Sequence, residues 1–175
     1  PGLHLNAVVW GQPILPAEKV PADPVKLVKA LGFDSVTSYV WIHHYSLPQL
    51  QTDYNQARDG YFRYWDGAKD KFGVPYFPNV TMGWDPSPRT AQEDEYGNFR
   101  YPFMNTIGGN TPARFKEALE LTKQRLLANP NGPRIMNINC WNEWTEGSYL
   151  EPDTQTGMGY LEAVRDVFGA TQKPK

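Results

Sequence analysis

The chain has 175 residues, a net charge of −2 and a pI near 5.9, long enough for one domain with its own core. That balance offers no basic surface for nucleic acid, and no run approaches the ~18 apolar residues of a membrane span. A single cysteine, Cys140, excludes an internal disulfide and leaves the compartment open.

The chain opens without methionine, directly on a strand-like segment, and reads as one domain over residues 1–175 cut from something longer. Residues 3–10 (LHLNAVVW) read as a strand and residues 11–24 as a Pro-rich loop. The segment PADPVKLVKALGF predicts a short helix: Asp23 caps it, Pro24 suits its first turn, Val25, Leu27, Val28 and Leu31 make the apolar stripe, and Gly32 ends it. Residues 34–42 (DSVTSYVWI), rich in β-branched and aromatic side chains, predict a second strand. After a loop over 43–53, Tyr61, Phe62, Tyr64, Trp65, Ala68 and Phe72 recur at helical spacing across 54–72, against the grain of Gly60 and Gly67. Residues 74–82 (VPYFPNVTM) predict a third strand, irregular because of its two prolines.

The loop GWDPSPRT follows, and residues 90–110 show no periodicity, so they read as a long excursion of the kind that often carries function. Residues 111–128 give the strongest helical pattern, with Thr111 as cap and Phe115, Ala118, Leu119, Leu121, Thr122, Leu126 and Leu127 on its buried face. Residues 135–140 predict a buried strand. Beyond it Glu143, Glu146 and Glu151 stand among Trp141, Trp144 and Tyr149. A last helix is predicted over 159–168, and residues 171–175 read as frayed.

The alternation of strand and helix predicts an α/β fold of parallel strands with right-handed crossovers. Trp10, Trp41, Trp84–Asp85 and Trp141–Glu146 all fall at or beyond strand C-termini. In a (β/α)8 barrel those ends converge on one face, so four such units predict half of a TIM barrel. Half a barrel leaves its outer strands without neighbours, so the expected partner is the other half or a second copy of the chain.

Glu143 and Glu146 are three positions apart, which sets two carboxylates on one side of a helical turn. Two such groups are expected to share a proton, giving an acid beside a base, the pairing that glycoside cleavage uses. Trp141, Trp144 and Tyr149 would stack on sugar rings, with Asn142 among the polar groups. The plainer alternative, solvated or ion-paired loop residues, stays open on spacing alone. Trp84, Asp85 and Arg89 form a second constellation: a ring, a hydroxyl acceptor, and a cation that pairs with Asp85 or with an anionic substituent. Tyr39, Trp41, His44 and Trp10 are candidates for a sugar wall. His43–His44 lacks the spacing of a metal site, and Cys140 reads as a small buried residue. No cofactor or metal is expected.

The run WNEWTEGSYLEPD, followed by GYLEAVRDVFG and preceded by VTMGWDPSPR and TPARFKEAL, resembles the WbsX-like proteins. These are often called glycosyltransferases but are similar to glycoside hydrolase family 99, the endo-α-mannosidases. The resemblance covers roughly the last hundred residues. It implies a (β/α)8 barrel, of which this chain is the C-terminal half, and a retaining glycoside hydrolase acting on oligo- or polysaccharide. By the match, Glu143 is the general base, which deprotonates the sugar's 2-hydroxyl to give a 1,2-anhydro sugar. Glu146 is the general acid/base. Family 99 has His in the place of Thr145. Glycosyl transfer in polysaccharide biosynthesis and non-catalytic sugar binding are the competing readings. There is no Asp-x-Asp, the common signature for a sugar nucleotide.

Overall fold

The computed structural model describes residues 2–10 and 23–169. The expected Pro-rich loop over 11–24 lies almost wholly outside them, as does the frayed end over 171–175. Among the described residues the fold is mixed α/β, with four α-helices and mostly parallel strands. None of these helices is long and apolar enough to cross a membrane.

The helices form where sequence chemistry favours them. In α1 (Pro24–Leu31) the Asp23 carboxylate accepts from the Val25 and Lys26 amides, and Gly32 closes the helix at φ 70° with its N–H on the Val28 carbonyl. The Thr111 hydroxyl likewise accepts from Arg114 N at the start of α3 (Pro112–Leu127), which buries Phe115, Ala118, Leu119 and Thr122. Helix α2 (Tyr54–Ala68) buries Tyr54, Ala57, Tyr61, Phe62 and Trp65. Its Gly60, which sequence alone counts against a helix, has a packing cause. A Cβ there would stand 2.4 Å from the Tyr45 ring. The helix ends at Ala68, short of the expected Phe72. Helix α4 (Gly159–Phe168) packs against α3 through Tyr160, whose ring meets Phe115 edge-on with centroids 5.6 Å apart.

Strand β1 (Asn6–Val8) pairs in parallel with β2 (Ser35–Thr37), and β2 with β4 (Tyr76–Phe77). Pro78 has no N–H to give a ladder and divides the expected third strand. Its second part, β5 (Asn79–Thr81), pairs in parallel with β7 (Asn137–Asn139). The parallel strands thus fall into separate sets, β1–β2–β4 and β5–β7, with β4 and β5 consecutive in the chain. Asn137 Nδ2 donates to Thr37 Oγ1 at 2.7 Å, tying β7 back to β2. No closed barrel forms among the described residues.

Two segments depart from the sequence reading. Gln51–Asp53, expected to be loop, is strand β3. It pairs in parallel with β6 (Thr106–Gly108), which lies inside the expected excursion. Three-residue strands are too short to show a period of two, although Thr52 and Ile107 are buried. The second strand also ends early, and Trp41–His43 forms a 3-10 turn. That turn carries Trp41 into the core, where its indole N–H donates to the Asn79 carbonyl at 2.9 Å and its ring lies against Tyr54 and Tyr61.

Candidate active site

Beyond β7 the chain forms a tight antiparallel hairpin, β8 (Asn142–Glu143) and β9 (Ser148–Tyr149), around a 3-10 turn over Trp144–Glu146. Gly147 ends the turn at φ 60°, a left-handed conformation that suits glycine. Space demands glycine there too, since a Cβ would sit 3.0 Å from Asp85 Cβ and 3.1 Å from Asp85 N. At Gly83 a Cβ would be 2.3 Å from the Gly147 carbonyl oxygen. These close approaches let Asp85 N donate to the Glu146 carbonyl at 2.7 Å. The loops after β5 and β7 are thereby fixed to each other at the C-terminal ends of adjacent strands.

That clamp brings Arg89 to the two carboxylates. Arg89 Nη2 donates to Glu143 Oε1 at 2.6 Å and lies 3.7 Å from Glu146 Oε1. One nitrogen thus reaches both groups, and their mutual repulsion is offset by a cation lying between them. The guanidinium is a third member of the pair that the spacing alone did not offer. Glu143 is half-buried, and Thr145 Oγ1 stands 3.4 Å from its Oε1. Glu146 is buried, 8% exposed. It accepts from the Tyr101 hydroxyl at 2.8 Å, and the Tyr39 hydroxyl stands 3.5 Å from its other oxygen. Burial and then the nearby Glu146 charge push the Tyr39 phenol up to about 12. Burial followed by its hydrogen bond to Glu146 takes Tyr101 up to about 12 as well. Both phenols therefore keep their protons at neutral pH and present O–H donors to one carboxylate.

Glu146 forms part of the wall of a cavity of roughly 650 Å³, lined also by Trp10, Tyr39, His43, Trp84 and Tyr101. The walls combine aromatic rings with the polar ends of Tyr39, His43, Tyr101 and Glu146. His43 and His44 are each lowered to about 4 by burial and are neutral. His44 stacks on Tyr64 with centroids 4.1 Å apart, and His43 meets Trp10 edge-on at 4.3 Å. A second, polar cavity of roughly 330 Å³ lies along Trp84, Asp85, Asn110, Tyr149 and Gln155. No group of three or more His, Cys, Asp or Glu among the described residues could hold a metal ion.

The sequence candidates separate into those at the cleft and those elsewhere. Glu143, Glu146, Arg89 and Tyr39 meet one another. Trp10 and Trp84 line the cavity that Tyr39 and Glu146 also line, Trp84 being 3% exposed, whereas Glu143 and Arg89 are not among its lining residues. Trp41 does not line the cavity: it is fully buried beneath the site and is a core residue. Asp85 does not pair with Arg89 either. Its Oδ1 accepts from Ser87 N at 3.0 Å and shapes the turn from which Arg89 reaches out. Trp141 and Asn142 are exposed on the hairpin. Trp144 lies flat on Tyr149, centroids 3.8 Å apart, and donates its indole N–H to Glu151 Oε2 at 2.6 Å. Glu151 thus orients a neighbouring ring. Cys140 is half-buried with its thiol on the Ser148 carbonyl at 3.1 Å, and burial pushes its pKa up, away from a nucleophile.

Tyr101 is the residue that sequence reasoning missed. It lies in the expected excursion, and an aromatic among the polar, aperiodic residues 90–110 was its one available signal.

Comparison with known proteins adds a family. The family described as Glycosyltransferase WbsX matches residues 20–164. Two proteins titled Uncharacterized protein WxcX, from the B100 and ATCC 33913 strains of Xanthomonas campestris pv. campestris, are each 37% identical over 93 residues. The matched stretch is 53% of this chain and 12% of each relative's length.

Proposed function

Because the chain belongs to the WbsX glycosyltransferase family, we propose that it carries the carboxylate pair of an enzyme that breaks glycosidic bonds within a glycan. The observation that carries this reading is one guanidinium nitrogen, Arg89 Nη2, reaching both Glu143 and Glu146. The two Oε1 atoms are therefore no further apart than the sum of those contacts. That is short of the ~6.5–9.5 Å at which a water fits between the two groups of an inverting enzyme, and the family resemblance supplies a retaining, substrate-assisted course.

In that course Glu143 takes the proton of the sugar's 2-hydroxyl, and the freed oxygen attacks C1. The bond from C1 to the departing oxygen breaks as Glu146 gives that oxygen a proton. The product is a 1,2-anhydro sugar. Water then opens the epoxide at C1, losing its proton to Glu146, while the 2-oxygen recovers a proton from Glu143. Tyr101 and Tyr39 steady the Glu146 carboxylate through this exchange. Arg89 must release or share Glu143 Oε1 when the 2-hydroxyl arrives. Trp10 and Trp84, which line the cavity beside Glu146, supply contacts around the reacting sugar, and Trp141, Asn142, Trp144 and Tyr149 supply stacking and polar contacts to the glycan beyond it.

The family's description favours a second reading, glycosyl transfer, in which a hydroxyl of another sugar replaces water in the second step. Both readings use the same pair. The reading also makes this chain half of a (β/α)8 barrel, residues 1–175 forming one unit of it. The parallel pairings β1–β2–β4 and β5–β7, with the candidate groups beyond the strand C-termini, support that architecture. The rest of the barrel is then a further stretch of chain or a second copy.

The test offers the full-length protein α-mannosides and related glycans, with and without acceptor sugars, beside Glu143→Gln and Glu146→Gln. Each substitution should lower turnover by about 10²–10⁴-fold. A rate unchanged in either variant removes that carboxylate from the chemistry. Chain-lengthened products would establish transfer, and water-derived products hydrolysis.

A further inference from the structure

Trp144 lies between the two carboxylates in sequence, yet its ring is committed elsewhere. One face stacks on Tyr149 with an interplanar angle of 17°. Its N–H edge is held by the Glu151 carboxylate at 2.6 Å. Two directional contacts thus fix the plane of an indole that remains 42% exposed. The hold is local to the hairpin, since Glu151 N also donates to the Trp141 carbonyl at 3.1 Å and Asn142 faces Tyr149 across the β8–β9 pair. A ring anchored on one face and one edge, with the rest in solvent, is ordered before any ligand arrives. Little rotamer entropy is then lost on binding. Glu151 has a second oxygen, Oε1, with no hydrogen-bond donor on it among the described residues, and it can accept from a hydroxyl beside the ring.

We propose that the Trp144–Tyr149 stack, oriented by Glu151, is a platform for a sugar residue adjacent to the one that reacts at Glu143 and Glu146, so that the site selects chains over single sugars. The proposal rests on the carboxylate reading above and adds a subsite to it. Glu151 acts here as a positioning residue, through Trp144.

The experiment measures binding by calorimetry to the full-length protein carrying Glu146→Gln, which blocks turnover. The probes are manno-, gluco- and galacto-oligosaccharides from disaccharide to hexasaccharide. At least one series should bind roughly fivefold tighter at the length that reaches the platform, the order expected of one stacked ring. Adding Trp144→Ala should erase that step and leave the shorter members unchanged. Glu151→Ala should weaken the step, while Glu151→Gln, whose amide oxygen still accepts from the indole, should keep most of it. These two also serve if Trp144→Ala misfolds. The proposal is overturned if no series shows the step, or if the variants weaken short and long members equally. Turnover without a step removes the platform alone. A step in a protein that turns over no glycan supports the platform and removes the catalytic reading.

Discussion

Arg89 reaches both Glu143 and Glu146. An exposed ion pair contributes about 0–1 kcal/mol to stability, and Arg89 and Glu143 are each about a third exposed. The contact therefore matters for position more than for folding. The Glu143–Glu146 spacing and the flanking indoles were legible because they lie within a few residues. The Arg89 contact was not, because it joins residues 54 positions apart, and the sequence offered Asp85 as a nearer partner. Trp41 misled for a related reason. A tryptophan near a strand end reads the same whether its ring lies over the cleft or under it. Buried histidines make a sharper residue-scale prediction. His43 and His44 are held near 4 by burial, whereas in the unfolded chain each titrates near 6.5. Between those values the unfolded state binds more protons, so stability is full above about pH 6.5 and falls as pH drops toward 4. The two rings together account for a few kcal/mol, about 7 at most. His44→Phe keeps the stack on Tyr64 and removes one titration. Its urea midpoint should fall less steeply than that of the natural protein between about pH 7.5 and 5. Equal slopes would show that His44 is not held neutral by burial.

Elements were legible where caps and periodicity agree. Asp23 and Gly32 bound α1, and Thr111 with Pro112 opens α3, because each signal acts within one turn. The strands were less so. Three-residue ladders leave no pattern, and Pro78 divides one run between two neighbours. The contact between the β5 and β7 loops was illegible, since nothing local in Gly83 or Gly147 says which backbone approaches it. Paired glycine substitutions test that contact. Gly32 and Gly147 both have positive φ, but a Cβ at Gly32 meets nothing within 4 Å, whereas one at Gly147 meets Asp85. Gly32→Ala should therefore lose only the left-handed strain, about 1–2 kcal/mol. Gly147→Ala should lose that much and more by urea denaturation. It should also lower turnover several-fold under the proposed function, because it displaces the Asp85–Glu146 hydrogen bond that fixes the backbone of Glu146. Equal stability losses with unchanged turnover would mean that the two loops do not position Glu146.

At the scale of the whole molecule the open question is what covers the outer strands. Among the described residues β1 pairs only with β2, and β7 only with β5. Leu3, Leu5 and Val8 around β1 are 90%, 47% and 54% exposed, and Ile135 before β7 is 49% exposed. Parallel sheets are ordinarily covered on both faces, and a bare apolar edge invites pairing with another chain. Parallel strands among alternating helices were foreseeable from the order of the elements. Residues 1–175 expressed alone should therefore self-associate in sedimentation velocity and bind a hydrophobic dye. Val8→Lys places a charge on the β1 edge and should reduce that association at the same concentration. In the full-length protein the same substitution should instead destabilise folding, because the position would then be covered. A monomeric, dye-silent piece, indifferent to Val8→Lys, would show that this sheet needs no further strands and would count against the half-barrel.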